Sequence, residues 1–249
     1  MKPKQKAKIE PENWKEVLEK IMEMRKTEIA PVDTQSPGKL PEKKASKDLA
    51  NYQILIALML SPQTRDEANA VAMDKLKAHG LTLTSIKETS EAELAKLINN
   101  VSFYNNKAKY IKETTDILLE KHKGKVPDNL KDLLKLPGVG KKIAHLALQL
   151  CHGKVEGIAV DTHVHRISNR LGWVETKKPE DTQKELEKWL PKKWWEKINV
   201  ILVGFGQKRC KPRNPLCNTC LVANLCPYGK SVTKRPKSKK RSKKESDNK

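Results

Sequence analysis

The stretch of sequence that decides the fold covers residues 136–148 and reads LPGVGKKIAHLAL. Gly138 and Gly140 predict a tight turn, because glycine readily takes the positive backbone angles that such turns need. The apolar residues that follow recur at helical spacing, so the turn leads directly into a helix. Lys141 and Lys142 fall in the first turn of that helix, where the helix dipole disfavours a cation. Chance, a bound anion or a chemical role could explain the two lysines.

A hairpin of this kind favours phosphate binding. Two helices joined by Gly-x-Gly leave backbone N–H groups free at the start of the second helix, and these bind an anion without contacting any base. An ordinary tight turn between two helices is the alternative. The strongly basic chain favours DNA, and the residues expected at the DNA backbone are Leu136, Gly138, Val139, Gly140 and Lys141.

The charge of the chain predicts a polyanionic partner. The 249 residues carry a formal net charge of +21, of which residues 230–249 contribute +8, so the rest carries +13. Such a field attracts nucleic acid; an anionic membrane surface is the alternative, without a basic amphipathic helix to support it. No apolar run approaches the ~20 residues that span a bilayer, and the first residues lack a secretory signal. We therefore expect an intracellular protein that binds nucleic acid and no membrane.

The rest of the chain reads as helices joined by short loops, so the predicted fold class is all-α. Residues 31–46 are rich in proline, glycine and serine and predict a loop. The short segment GIAV at 157–160 is the only strand candidate, and it is brief enough to be a buried approach to a helix. Helical patterns cover residues 13–27, 52–61, 64–80, 90–100, 106–124, 130–136, 141–153, 182–190 and 195–210, with another helix starting at Asp161.

Four of the five cysteines crowd into one loop, in the spacing C-x6-C-x2-C-x5-C. This clustering indicates a metal or cluster site in a reducing compartment rather than a disulfide framework. Four thiolates can enclose a zinc ion or bind a cubane iron–sulfur cluster. One close pair and two looser single cysteines favour the cluster, with zinc left open. The ligands would be Cys210, Cys217, Cys220 and Cys226, whereas Cys151 is expected to be a packed free thiol.

Lys142 and Asp161 are the candidates for chemistry. By composition alone Lys142 would be a solvated cation, but the positive helix end and the neighbouring Lys141 both favour a lowered pKa. A lysine of lowered pKa is a nucleophile that can form a Schiff base. Asp161 precedes a helical pattern and is expected to cap that helix, as a carboxylate beside a basic channel. His163 and His165 are two residues apart, which favours packing or phosphate contacts over a shared metal.

Together these motifs resemble those of endonuclease III, within the helix-hairpin-helix DNA glycosylases. LPGVGKKIAHLAL is followed by AVDTHVHRISNR and then by the cysteine spacing, and SPQTRD at 61–66 and FYNNKAKYI at 103–111 add to the match. The resemblance extends over residues 33–228 in order. The eukaryotic type of the family is the most similar form, judged by KKIAHLAL, VDTHVHRI and the basic extensions.

The resemblance implies two helical domains separated by a DNA-binding cleft. One would be a six-helix barrel with the helix-hairpin-helix motif, over residues 44–155. The other would hold a [4Fe-4S] cluster and combine residues 11–43 with residues 156–229. Basic, disordered ends are expected at 1–10 and 230–249.

The resemblance also implies a base-excision repair enzyme that removes oxidised or ring-saturated pyrimidines from duplex DNA and cuts the strand by β-elimination. The damaged nucleotide would be flipped into the cleft. Lys142 matches the family's nucleophile and Asp161 its catalytic aspartate. Gln63 matches the residue that fills the vacated stack, and Phe103 stands where the bacterial enzyme has a leucine wedge. His163 is counted with the DNA-binding residues.

Two other functions remain open at this point. An adenine-specific mismatch glycosylase shares the cysteine spacing and the aspartate, but it typically lacks the lysine and carries a further C-terminal domain. A non-catalytic iron–sulfur DNA-binding protein would need neither Lys142 nor Asp161.

The basic segment at 231–249 predicts a nuclear localisation signal, a DNA-binding arm, or both. We expect a monomer in the nucleus, with the mitochondrion as a weaker second location. The basic ends are candidate contacts for other repair factors.

Overall fold

The computed structural model describes residues 10–233, and this part of the chain is helical without a β-strand. The all-α prediction is confirmed. Short 3-10 helices lie at Pro37–Lys39, Lys192–Trp194 and Cys217–Thr219. The α-helices are α1 (Trp14–Thr27), α2 (Pro31–Gln35), α3 (Lys47–Leu60), α4 (Asp66–His79), α5 (Leu83–Glu88), α6 (Glu91–Leu97), α7 (Tyr104–Lys121), α8 (Leu130–Leu133), α9 (Lys141–His152), α10 (Thr162–Arg170), α11 (Pro179–Glu187), α12 (Trp195–Lys208) and α13 (Pro227–Thr233).

Helices α3–α9 surround the first hydrophobic core. Helix α3 runs through its middle and is buried from Asn51 to Leu60. A helix that is apolar on nearly every face is stable only when other helices enclose it. Helix α9 packs against α3 and ends in the buried free thiol of Cys151, as the sequence predicts.

The second hydrophobic core joins the two ends of the described chain. Helix α1 contributes Trp14, Val17, Leu18 and Ile21, which pack with residues from α10, α11 and α12. Trp14 is fully enclosed by this arrangement, and its ring meets those of Trp189 and Trp194 edge-on or tilted. The large apolar area that these rings remove from water holds the N-terminal helix on the C-terminal half.

Three local predictions are wrong. The supposed loop at 31–46 begins with α2, because Pro31 fixes a helical backbone angle and the Asp33 carboxylate accepts a hydrogen bond from the Ala30 amide at 2.7 Å. Helix α5 forms where no helical pattern was assigned, with Thr82 as its N-cap. Helix α13 extends to Thr233, so the tail predicted for 230–249 is helical over its first four residues.

The remainder of that tail, residues 234–249, and residues 1–9 lie outside the described residues. The segment at 157–160 forms no strand; its last three residues are buried between the two cores. No helix within residues 10–233 is long and apolar enough to cross a bilayer.

Candidate active site

The predicted hairpin lies between α8 and α9. Gly138 has φ +74°, and a Cβ there would lie 2.9 Å from the Tyr110 ring, so this position requires glycine on two grounds. The Leu136 and Val139 side chains are buried in the first core, so their share of any DNA contact would come from the backbone. The Val139 amide is itself used within the turn, donating to the Leu136 carbonyl at 3.1 Å. Gly140 begins α9 without a side-chain cap.

The two lysines of α9 face different environments. Lys141 is exposed, whereas Lys142 points into a cleft, where its Nζ donates a hydrogen bond to the Ser61 Oγ at 3.3 Å. Burial of the amine lowers the pKa of Lys142, while the negative charges of Asp161 and Asp66 act in the opposite direction. The lowered pKa expected at Lys142 is present, with burial as its main cause.

Asp161 lines the same cleft and caps α10. Its Oδ1 accepts a hydrogen bond from the Val164 amide at 2.8 Å, which confirms the predicted N-cap. The cap fixes the carboxylate at the helix start, next to the cavity that Lys142 enters.

Asp66 is a cleft residue to which the sequence assigned no role. It is the first residue of α4, and its Oδ2 accepts a hydrogen bond from the Gln207 Nε2 at 2.6 Å. The Gln207 Oε1 accepts another from the Val32 amide at 3.1 Å, so the amide group is oriented and bridges α2, α12 and α4. Burial raises the pKa of Asp66, and this hydrogen bond opposes the rise. The only sequence signal for Asp66 as a site residue is its position in the SPQTRD motif.

His163 also lines the cleft, at the start of α10. Its Nδ1 lies 3.1 Å from the guanidinium of Arg166, and burial lowers the pKa of the imidazole. A side chain at position 206 would overlap the ring, since a Cβ there would lie 2.4 Å from the His163 Nδ1. His165 points elsewhere and bonds the Thr182 hydroxyl at 2.6 Å, so the two histidines do not converge.

The cleft has a volume of about 1350 Å³ and is lined by residues of both cores and by the hairpin. It brings together Lys142, Asp161, His163 and the hairpin residues 138, 140 and 141. Gln63 lies at its edge and also lines a smaller adjoining cavity of about 260 Å³, together with Phe103. Both of these side chains are exposed, and both residues have a positive φ, of 54° and 57°.

The four clustered cysteines line one common cavity on the side of the second core. Arg170 donates to the Cys210 Sγ at 3.3 Å, and the Gly229 amide donates to the Cys226 Sγ at 3.3 Å. Burial raises the pKa of the Cys217, Cys220 and Cys226 thiols. Within residues 10–233, no group of three or more His, Cys, Asp or Glu side chains is arranged to hold a metal ion.

Residues 56–192 match the model of the HhH-GPD superfamily of base excision DNA repair proteins. The fold and the hairpin thus define a helix-hairpin-helix repair protein. Over 225 residues the chain is 50% identical to endonuclease III-like protein 1 of Gallus gallus, covering 90% of this chain and 80% of the relative. The protein of that name from Mus musculus is 49% identical, with 90% and 75% covered. The chain belongs to the endonuclease III family.

Solved structures agree with this assignment. A non-covalent endonuclease III–DNA complex matches with a TM-score of 0.78 and 29% identity, covering 90% of this chain and 98% of that one. A trapped endonuclease III–DNA covalent intermediate matches with a TM-score of 0.77 and 29% identity, covering 89% and 97%. The protein is a DNA glycosylase with AP lyase activity in base excision repair. Members of its family generally contain iron and sulfur.

Proposed function

We propose that this enzyme excises oxidised or ring-saturated pyrimidines from duplex DNA with Lys142 as its nucleophile. The observation that carries the proposal is the position of the Lys142 amine, which lies in the cleft with a lowered pKa beside the capped carboxylate of Asp161. A neutral amine has the lone pair that nucleophilic attack requires.

The reaction would proceed through an imine. The lone pair of the Lys142 Nζ forms a bond to C1′ of the flipped nucleotide, and the electrons of the glycosidic bond leave with the base, which takes up one proton released from Nζ. Opening of the sugar ring transfers the second Nζ proton to O4′ and gives the imine, which acidifies the C2′ proton. Loss of that proton expels the 3′ phosphate and cuts the strand 3′ to the lesion. Asp161 helps to activate the amine and stabilises positive charge that develops on the sugar.

The remaining cleft residues bind the DNA. The free amides at the start of α9 and the exposed Lys141 receive a backbone phosphate near Gly138 and Gly140. Gln63 fills the space that the flipped nucleotide leaves, Phe103 wedges the opposite side, and His163 contacts the DNA from within the cleft. Net positive charge makes this binding dependent on salt.

The cysteine loop holds a [4Fe-4S] cluster in this proposal. Four thiols line one cavity, and an arginine and a backbone amide are directed at two of the sulfurs. The residue types match the donor set of such a cluster, although the side chains of these four described residues are not arranged around a metal ion. Bound there, the cluster would supply cross-links that fix the loop. Arg170 fixes the same loop from α10 by donating to the carbonyls of Lys211 and Pro212 at 2.8 and 3.0 Å.

The location and partners follow from the activity and the charge. An enzyme that repairs DNA works in the nucleus or in an organelle, and we favour a monomer in the nucleus. The signals for import and for contacts with repair factors would lie at the basic ends, beyond the described residues.

Borohydride trapping tests the proposal. With a duplex that contains thymine glycol, the wild-type protein should form a covalent adduct, because borohydride reduces the imine. Lys142→Gln should form none. Lys154→Gln serves as a control at the other end of α9, where the lysine pairs with Asp128, and it should trap as the wild type does. An adduct that survives Lys142→Gln would overturn the assignment.

A further inference from the structure

Lys107 is a buried cation that the proposed mechanism does not use. It lies on α7 and is 7% exposed. Its Nζ donates hydrogen bonds to the carbonyls of Leu60 and Pro62 and to the Thr64 hydroxyl, at 2.7, 2.8 and 2.8 Å. An ammonium has three donors, so all three are used. Burial lowers the pKa of Lys107 to about 8.

The three acceptors belong to the end of α3 and to the loop that carries Gln63. Helix α3 ends at Leu60, and the last carbonyls of a helix lack partners within the helix and attract a cation. Gln63 lies between two of the bonded residues, Pro62 and Thr64. Its φ of 54° is left-handed, a conformation that costs about 1–2 kcal/mol for a residue with a Cβ. The Lys107 ammonium therefore holds a strained loop on both sides of Gln63.

The backbone of Lys107 is tied to Phe103. Its amide donates to the Phe103 carbonyl at 3.0 Å in the first turn of α7. Phe103 is 61% exposed and has φ 57°. Gln63, Phe103 and Lys107 line one cavity of about 260 Å³. Lys107 thus bonds to the residues on both sides of Gln63 and to the backbone of Phe103, and the Gln63 and Phe103 side chains both line this cavity.

We propose that Lys107 is a positioning residue, which holds Gln63 and Phe103 at a fixed separation so that both enter the duplex when the nucleotide is flipped. This inference rests on the proposed function. Flipping costs a few kcal/mol of stacking and pairing, and residues whose backbone is already fixed in place lose less conformational entropy when they enter the duplex.

The test compares Lys107→Met with Lys112→Met. Lys112 lies on the same helix and likewise donates to two carbonyls at a helix end, those of Ile86 and Lys87, but it does not line the cavity that Lys107 shares with Gln63 and Phe103. Single-turnover rates at saturating enzyme are measured with thymine glycol opposite adenine and opposite a tetrahydrofuran abasic analogue. The second duplex has no base pair to break and no partner base to support.

Lys107→Met should lower the rate on the paired lesion roughly tenfold, equivalent to about 1.4 kcal/mol, and change the rate on the unpaired lesion less than about twofold. Lys112→Met should leave both rates unchanged. Equal losses on the two duplexes would overturn the proposal, because a general structural defect affects both. Failure of the wild type to trap would instead refute the underlying function.

A second variant keeps the proposal testable if Lys107→Met does not fold. Thr64→Val removes one acceptor of the Lys107 ammonium from a partly exposed loop. It should lower the paired-lesion rate selectively and by a smaller factor than Lys107→Met. An unchanged ratio of paired to unpaired rates in Thr64→Val would count against the proposal.

Discussion

In the proposed mechanism, the reactivity of Lys142 depends on opposing effects of its neighbours. Burial favours the neutral amine, which is the form that attacks, whereas the carboxylates of Asp66 and Asp161 favour the ammonium. The same carboxylates favour the positive charge that the sugar develops during the reaction. In the proposed mechanism, burial favours the attacking form of the amine, and the two carboxylates stabilise the positive charge of the transition state.

Asp66→Asn should shift the pH profile of the reaction. The rate should rise with pH as the Lys142 amine loses its proton. Because the Asp66 charge raises the pKa of Lys142, its removal lowers that pKa further and moves the rising limb to lower pH. The measurement is the single-turnover rate on thymine glycol DNA as a function of pH.

Asp74→Asn is a matched control for this shift, since Asp74 lies on the same helix, has an exposed side chain and pairs with Lys77. It should leave the profile in place. A rising limb that stays fixed or moves to higher pH in Asp66→Asn would contradict the electrostatic account.

The positions of single site residues could be predicted from the sequence where neighbouring residues determine them. Asp161 is followed directly by the helix that it caps, and Lys142 follows the glycine turn that places it. Gln207 and Asp66 were not predicted to meet, because 141 residues separate them and no local pattern encodes their contact. The contacts of Lys107 were not predicted for the same reason, because the Thr64 hydroxyl that it bonds lies more than 40 residues earlier in the chain.

At the scale of elements, the hairpin combines one glycine with a left-handed backbone, Gly138, and one with free space around it, Gly140. Gly138 is left-handed and packs against Tyr110, whereas Gly140 has φ −90° and nothing lies within 4 Å of a Cβ built there. Gly138 is thus required by the fold, and Gly140 leaves space on the surface where a phosphate would approach the start of α9.

Alanine substitutions should separate these two roles. Gly138→Ala should lower the free energy of unfolding by roughly 2–4 kcal/mol, through backbone strain and overlap with Tyr110. Gly153→Ala, at φ 66° with open space around it, should cost only about 1–2 kcal/mol. Gly140→Ala should leave stability within about 0.5 kcal/mol and weaken DNA binding. Urea unfolding measures the free energy of unfolding of each variant, and titration with DNA measures its affinity. Equal losses of stability in Gly138→Ala and Gly153→Ala would contradict the claim that Gly138 packs too closely against Tyr110 for a Cβ.

The bounds of the amphipathic helix α1 were predictable from its pattern, whereas the short helices α2 and α5 were not predicted. Helix α1 matches its pattern within a residue, because five buried side chains recur on one face. Helix α2 is only five residues long, too short for a periodic pattern, and it forms because Pro31, Asp33 and the packing of Val32 agree. Helix α13 continues past residue 230, where the tail was predicted to begin, and local hydrogen bonds stabilise this part. One of them runs from the Thr233 hydroxyl to the Gly229 carbonyl at 3.0 Å.

The whole molecule places its chemistry between two separate cores. The elements around the first core supply Lys142 and the hairpin, while those around the second core supply Asp161 and His163. Gln207 connects the two sides by bonding Asp66. The family resemblance implied this arrangement. The composition of the chain alone could not predict it, because the second core combines segments that are far apart in the sequence.

Loss of one cysteine ligand should remove the cluster. Wild-type protein should be yellow-brown and contain about four iron and four sulfide per chain. Cys217→Ser should lose both the colour and the iron and melt at a lower temperature, because the bound group stabilises the loop. Cys151→Ala should retain the cluster, since that thiol lies in the other core, 3.6 Å from the Asn51 carbonyl. A colourless wild type with one zinc per chain would contradict the assignment.

The most direct test of the central claim is peptide mapping of the borohydride-trapped complex by mass spectrometry. After nuclease and protease digestion, the reduced sugar remnant should lie on the side chain of Lys142, the buried amine of the cleft. A remnant on Lys141, on the N-terminal amine or on any other lysine would contradict the claim that Lys142 is the nucleophile.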